Sequence, residues 1–117
     1  MQNIKVINGI KLLVTQFPGS DKDTLSKLAD AFREMVPENG VCVIASVSAD
    51  NVLIMAAVMQ DLIKKGIKAG DIVGHISRQL GAGGGGAPHL AFGGGKEISK
   101  LPEALESVTS WLQNKTN

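Results

Sequence analysis

Between Gly81 and Lys96 the chain reads GAGGGGAPHLAFGGGK, two glycine runs around a single Pro-His pair. Seven of its 14 glycines fall between Gly83 and Gly95. Each glycine loses more backbone entropy on folding than an ordinary residue, about 0.5–1 kcal/mol relative to Ala. A block this dense leaves a small domain poorly ordered unless its geometry is required. Without a Cβ the backbone can approach a ligand or a second chain closely. The simplest use of such a loop is therefore to present bare N–H groups to an anion or a phosphodiester. The plain alternative is a flexible surface linker, and the well-patterned sequence after both runs argues for a built feature.

At 117 residues, 44% apolar and 20% charged, the chain has the size and composition of one globular domain that buries its core without disulfides. Cys42 is its only cysteine and sits in the apolar run VCVIASV, which suits a buried small hydrophobe better than a nucleophile. A lone thiol excludes an internal disulfide and fits a reducing compartment. The amino terminus lacks the basic-then-apolar pattern of a secretory signal. The longest apolar stretch, residues 41–59, is interrupted by Ser48, Asp50 and Asn51, so no membrane span is expected. A cytoplasmic location is the expectation that follows.

The net charge of +1 hides an asymmetry. Across residues 64–100, Lys64, Lys65, Lys68, Arg78, Lys96 and Lys100 stand against only Asp71 and Glu97, a local charge of +4, and the remainder carries −3. The basic half coincides with the glycine runs. That pairing favours a phosphate-bearing partner, although solvated lysines on helix faces are the commoner reason for such a charge count.

Apolar segments at residues 4–7 and 10–17 are joined by Asn8-Gly9, the strongest short hairpin signal because both turn positions need φ > 0. Ser20 or Asp21 can cap a helix running to about Val36, with Leu25, Leu28, Ala29, Phe32 and Val36 on one face. Near-continuous apolar runs at 41–47 and 52–58 read as central strands buried on both faces. A short helix is expected at 60–65 and a second at 69–80, with Ile72, Val73, Ile76 and Leu80 inward and Gly81 as its stop. A last helix at 101–114 buries Leu101, Leu105, Val108 and Leu112, and Trp111 is expected in the core. The pattern predicts a single α/β (α+β) domain, a sheet of about four to five strands covered by amphipathic helices.

No constellation supports catalysis, and no cofactor or metal is expected. His75 and His89 are the only histidines, and neither has a carboxylate or thiol at metal-ligand or triad spacing. His75 lies beside an apolar helical stripe and reads as structural. His89, between the glycine runs, is the better contact to phosphate or base. Residues 81–86 match G-x-G-x-x-G, but that motif follows a strand and opens a helix, whereas here it follows a helix and precedes Pro88. Gly95-Lys96 looks like the end of a P-loop, yet Leu90 stands at the leading glycine and Glu97 replaces the metal-binding hydroxyl.

Taken in order, KAGDIVGHISRQLG, GGGG-x-P, AFGGG and LPEALESVTSWL resemble the carboxy-terminal domain of the alanyl-tRNA synthetase family, over roughly residues 41–111. The same module, called DHHA1, also closes the DHH phosphoesterases. Ala87 and His89 depart from the pattern, since many members carry Arg or Lys at the first and Asp at the second. The resemblance implies a piece of a longer ligase, without an active site of its own. That piece docks the outer corner of tRNA(Ala) and helps the aminoacylation and editing centres share one tRNA. It implies tRNA and the remainder of the synthetase chain as partners.

Duplex-like RNA is held mainly through phosphates and 2′-hydroxyls. With no Tyr, three Phe and one Trp, an aromatic stacking platform is not expected. The expected RNA-binding set is Lys64, Lys65, Lys68, Arg78, Gly83, Gly84, Gly85, Gly86, His89, Gly93, Gly94, Gly95, Lys96 and Lys100. Two other uses stay open: the substrate-binding half of a DHH-type phosphodiesterase, and a protein-interaction or homodimer module built on the glycine surface.

Overall fold

In the computed structural model, which describes residues 4–49 and 51–116, Asn8 and Gly9 take φ of 50° and 86°. Strand β1 (Ile4–Ile7) therefore folds tightly back on β2 (Ile10–Gln16), with Ile7 opposite Ile10. Asp21, not Ser20, caps helix α1 (Lys22–Met35), its carboxylate accepting the Thr24 N–H at 2.9 Å. The helix returns the chain so that β3 (Gly40–Val47) lies parallel to β2, and β4 (Val52–Val58) then pairs antiparallel with β3. Helices α2 (Gln60–Ile63) and α3 (Ala69–Gln79) follow. Strands β5 (Gly84–Gly86) and β6 (Leu90–Gly95), a 3-10 turn (Ile98–Lys100) and α4 (Leu101–Thr116) complete the described chain. The expected 48–51 connection includes Asp50, and the reading of the amino terminus includes residues 1–3; both lie outside the described residues.

One sheet runs in the order β1-β2-β3-β4-β6-β5. Alternation along β3 sends Val41, Val43 and Ala45 to the side covered by α3 and α4, where they meet Ile54, Ile72, Ile76, Val108 and Leu112. Cys42 and Ile44 point the other way and join Leu13, Met55, Leu25, Ala29 and Phe32 beneath α1. Both central strands are thus buried on two faces, as their unbroken apolar runs require. Each large apolar side chain buried this way contributes about 1.5–3 kcal/mol.

The sheet has six strands rather than four to five, because the glycine runs expected as loops pair with each other and with β4. The reason is the closeness of α3. A Cβ at Gly93 would lie 2.5 Å from both Val73 Cγ1 and Ser77 Oγ, and one at Gly84 would lie 2.8 and 3.0 Å from the same two atoms. At Gly95 it would strike Leu80. From the helix side, a Cβ at Gly70 would sit 3.0 Å from the Gly86 carbonyl oxygen. The glycines are a pavement on which the helix rests. Gly81, with φ of 80°, ends α3 by sending its N–H to Arg78 while Ala82 N–H reaches Ser77, the left-handed stop expected at that position. Trp111, expected in the core, is half-buried: it packs against the edge of the core on the side of α4 that faces α3, 6.2 Å from the His75 ring.

Candidate nucleic-acid interface

Helices α3 and α4 lie side by side in opposite senses, joined at a polar seam. His75 Nε2–H donates to Ser107 Oγ at 2.9 Å, Gln79 donates to the same oxygen at 2.9 Å, and Ser107 donates onward to the Ala104 carbonyl at 2.6 Å. Burial, with the Arg78 charge adding to it, holds the His75 imidazole below its ordinary pKa. The histidine is therefore a neutral strut at neutral pH, in keeping with its structural reading.

Beside this seam α3 meets β5 through Gly70 and Gly74, which carry no side chains to fill the space along the contact. A cleft of about 420 Å³ opens there, lined by Gly70, Asp71, Gly74, Arg78, Gly84, Trp111 and Lys115. A second, of about 350 Å³, lies beside the first hairpin and is lined by Asn8, Gly9, Ile10, Asn39, Leu62, Lys65, Ile67 and Lys115. Lys115 belongs to both. Its ammonium stands 5.3 Å from the centroid of the Trp111 ring, one helical turn earlier.

The expected basic set divides between the two ends of α3, which at 1.5 Å per residue are about 16 Å apart. Lys64 and Lys65 follow α2 and Lys68 directly precedes α3, all exposed at its amino end. Lys96 and Lys100 lie at its carboxyl end, where the Lys96 N–H bonds the Leu80 carbonyl. Lys100 is ion-paired with Glu97 at 3.7 Å. Arg78, in the last turn of α3, lines the larger cleft.

The glycines differ among themselves. Only Gly83 and Gly85 of the seven have open space where a side chain would be; Gly84, Gly93 and Gly95 are packed as described, Gly86 lies against Ala91, and Gly94 lies against the Val52 carbonyl. All of β5 is exposed and forms one edge of the sheet. His89 is exposed at the β5–β6 turn, and its carbonyl is anchored by the Val58 N–H and the Arg33 guanidinium, each at 3.1 Å. The neighbouring Pro88 carbonyl accepts the Ala69 N–H at 2.8 Å.

Two cations escaped the sequence reading. Arg33 lies 56 positions from His89, and nothing local announces the contact. Lys115 falls beyond the basic window, but its spacing of four from Trp111 on a helix is a legible signal. Among the described residues no group of three or more His, Cys, Asp or Glu could hold a metal ion, and no helix is long and apolar enough to cross a membrane.

Comparison with known proteins places this geometry. The chain matches the DHHA1 domain over residues 9–114. It belongs to the DHHA1 domain family. It is 43% identical over 104 residues to the alanine–tRNA ligase of Dehalococcoides mccartyi, covering 89% of this chain and 12% of that protein. The ligase of Geobacillus kaustophilus is 37% identical, with 97% of this chain and 13% of the relative covered. The chain therefore spans about an eighth of the curated relatives it matches. Its structure superposes on the crystal structure of the C-Ala domain from Aquifex aeolicus alanyl-tRNA synthetase with a TM-score of 0.85 and 29% identity, covering 97% of this chain and 99% of that one. A DHH domain described as a member of the s1p family of ribosomal proteins shares the fold alone, with a TM-score of 0.62 and 20% identity over 28% of its length.

Proposed function

We propose that the chain is the tRNA-binding carboxy-terminal domain of an alanine–tRNA ligase. In this reading it docks the corner of tRNA(Ala) so that the aminoacylation and editing centres of the same ligase act on one tRNA. The end-to-end match to the C-Ala domain carries the reading, since it accounts for nearly all of both chains. The catalytic groups then belong to the remainder of the ligase, the domain needs no cofactor of its own, and its place of action is the cytoplasm, where tRNA is charged. Cationic clefts with a single aromatic ring, whose face the Lys115 ammonium already covers, suit contact through phosphates and 2′-hydroxyls.

Fluorescence anisotropy with labelled tRNA(Ala) tests this directly. The expected result is binding that weakens as salt rises, by about 0.7–0.9 decades per decade of salt for each phosphate neutralised. A trinucleotide should compete poorly. Preference for the trinucleotide over tRNA would instead support the substrate-binding half of a phosphodiesterase. Concentration-dependent dimerisation without RNA binding would support an interaction module.

A further inference from the structure

The basic window along the chain and the basic surface in space are not the same set. Lys115 is the wall common to two clefts, with Arg78 in one and Lys65 in the other. None of these three cations appears in an ion pair among the described residues, whereas Lys100 is matched by Glu97. The Trp111 ring holds the Lys115 ammonium at the shared wall, 5.3 Å from its centroid, instead of leaving it to trail in solvent. Gly70, Gly74 and Gly84 line the larger cleft between Arg78 and Lys115, and Gly9, Asn8 and Asn39 line the smaller one with Lys65, so bare backbone and neutral polar groups lie beside the cations.

We infer that the two clefts form one continuous groove for a ribose-phosphate backbone, with Lys115 at its centre and Lys65 and Arg78 on either side. The inference rests on the proposed RNA-binding function and assigns its site. The glycine hairpin serves the groove mainly by packing α3, and Lys96 and Lys100 lie outside it. Asp71 on the wall of the larger cleft decides the polymer. Its carboxylate repels a phosphate, or the carboxylates of an acidic protein, but accepts a hydrogen bond from a 2′-hydroxyl. Phosphates therefore pair with Arg78 and Lys115 while the ribose between them meets Asp71.

The test compares salt slopes of tRNA binding for the wild-type chain, the triple variant Lys65→Ala/Arg78→Ala/Lys115→Ala and the control Lys96→Ala/Lys100→Ala. All five positions are exposed, and urea midpoints confirm that the variants fold. Each lost phosphate contact lowers the slope by about 0.7–0.9. The triple variant should lose about two to three units of slope and the control less than one, with Lys115→Arg retaining the wild-type value. A matched RNA hairpin should bind at least several-fold more tightly than its DNA counterpart, and Asp71→Ala should narrow that gap. An unchanged slope in the triple variant, with normal wild-type binding, overturns the groove and leaves the proposed function standing. Absence of any wild-type binding to tRNA removes both. Equal binding of RNA and DNA hairpins, or competition by polyglutamate as strong as that by RNA, overturns the assignment of a ribose-phosphate ligand.

Discussion

A single methyl group at Gly93 separates the structural use of the glycines from any use as a flexible loop. In Gly93→Ala the new carbon would lie 2.5 Å from Val73 Cγ1 and Ser77 Oγ and 3.1 Å from the Gly84 Cα. Carbon atoms prefer about 3.5–4.0 Å, so α3 or β6 must move by about 1 Å. Overpacking of this kind costs about 1–3 kcal/mol, against which the lower entropy of the unfolded Ala chain returns about 0.4–1 kcal/mol. The net expectation is a loss of about 1–2 kcal/mol. At Gly85 nothing lies within 4 Å of the added carbon, so only the entropic term remains and Gly85→Ala gains stability. Urea unfolding reads the difference. With a slope of about 1–3 kcal/mol per molar urea, the two midpoints should separate by about 1 M in opposite directions from wild type. Ser77 adds a check, because its buried hydroxyl has no partner among the described residues. Ser77→Ala removes both that unpaired group and one of the clashing atoms, so the Gly93→Ala/Ser77→Ala pair should cost less than the sum of its parts. Equal shifts at Gly85 and Gly93 would refute the pavement.

The core and surface should answer in the same assay on very different scales. Phe32→Ala empties a side chain only 1% exposed beneath α1 and should cost about 3–5 kcal/mol, while Lys96→Ala, exposed, should change stability by no more than about 0.5 kcal/mol. Burial pushes the Cys42 thiol up to about 12, so iodoacetamide at pH 8 should label the unfolded chain and spare the folded one; rapid labelling of the folded chain would contradict a buried β3. The His75 pKa is lowered from 6.5, by burial first and the Arg78 charge second, so the unfolded chain takes up the proton first as pH falls. That contribution to stability is fully present above about pH 7 and is lost as pH falls below 6.5 towards the folded pKa. Urea midpoints between pH 7 and 5 should show a decline that His75→Gln lessens; an identical decline in the variant would remove His75 as its source.

The fold was legible wherever side chains carried the pattern. Asn8-Gly9 takes the two positive φ angles its turn demands, Asp21 caps as its chemistry suggests, and the unbroken apolar runs of β3 and β4 sit at the centre of the sheet. Strands β5 and β6 were not legible, because strand signals consist of alternating side chains and Gly84–Gly86 has none. What makes those residues a strand is the helix above them. The clue was split over a distance in sequence: Gly70 and Gly74, four apart on α3, mirror Gly86 and Gly84 across the contact. Neither half of that pairing reads as packing without the other. Trp111 was misplaced for a related reason, since residue size alone predicts burial and its helix stripe already fills the core with Val108 and Leu112.

The candidate site shows the same limit in electrostatic form. A window of sequence adds charges that the fold then separates. Within residues 64–100, Glu97 lies 3.7 Å from Lys100 and folds over Gly81, where its Oε2 would be 2.9 Å from an added Cβ. The carboxyl end of α3 is therefore less positive than the count of lysines suggests. Towards the amino end the opposite happens, because α4 runs back alongside α3 and delivers Lys115 to a wall shared by the cleft of Lys65 and the cleft that reaches along α3 to Arg78 in its last turn. Only the length and direction of α4 bring that charge in, and both follow from the Leu101, Leu105, Val108 and Leu112 stripe that seats it on the sheet. A shift of α4 by one residue would rotate Lys115 by about 100° and carry it out of the shared wall. The position of the cationic groove is thus fixed by the core face of the same helix that supplies its central residue, and core variants such as Leu112→Ala should disturb RNA binding as well as stability.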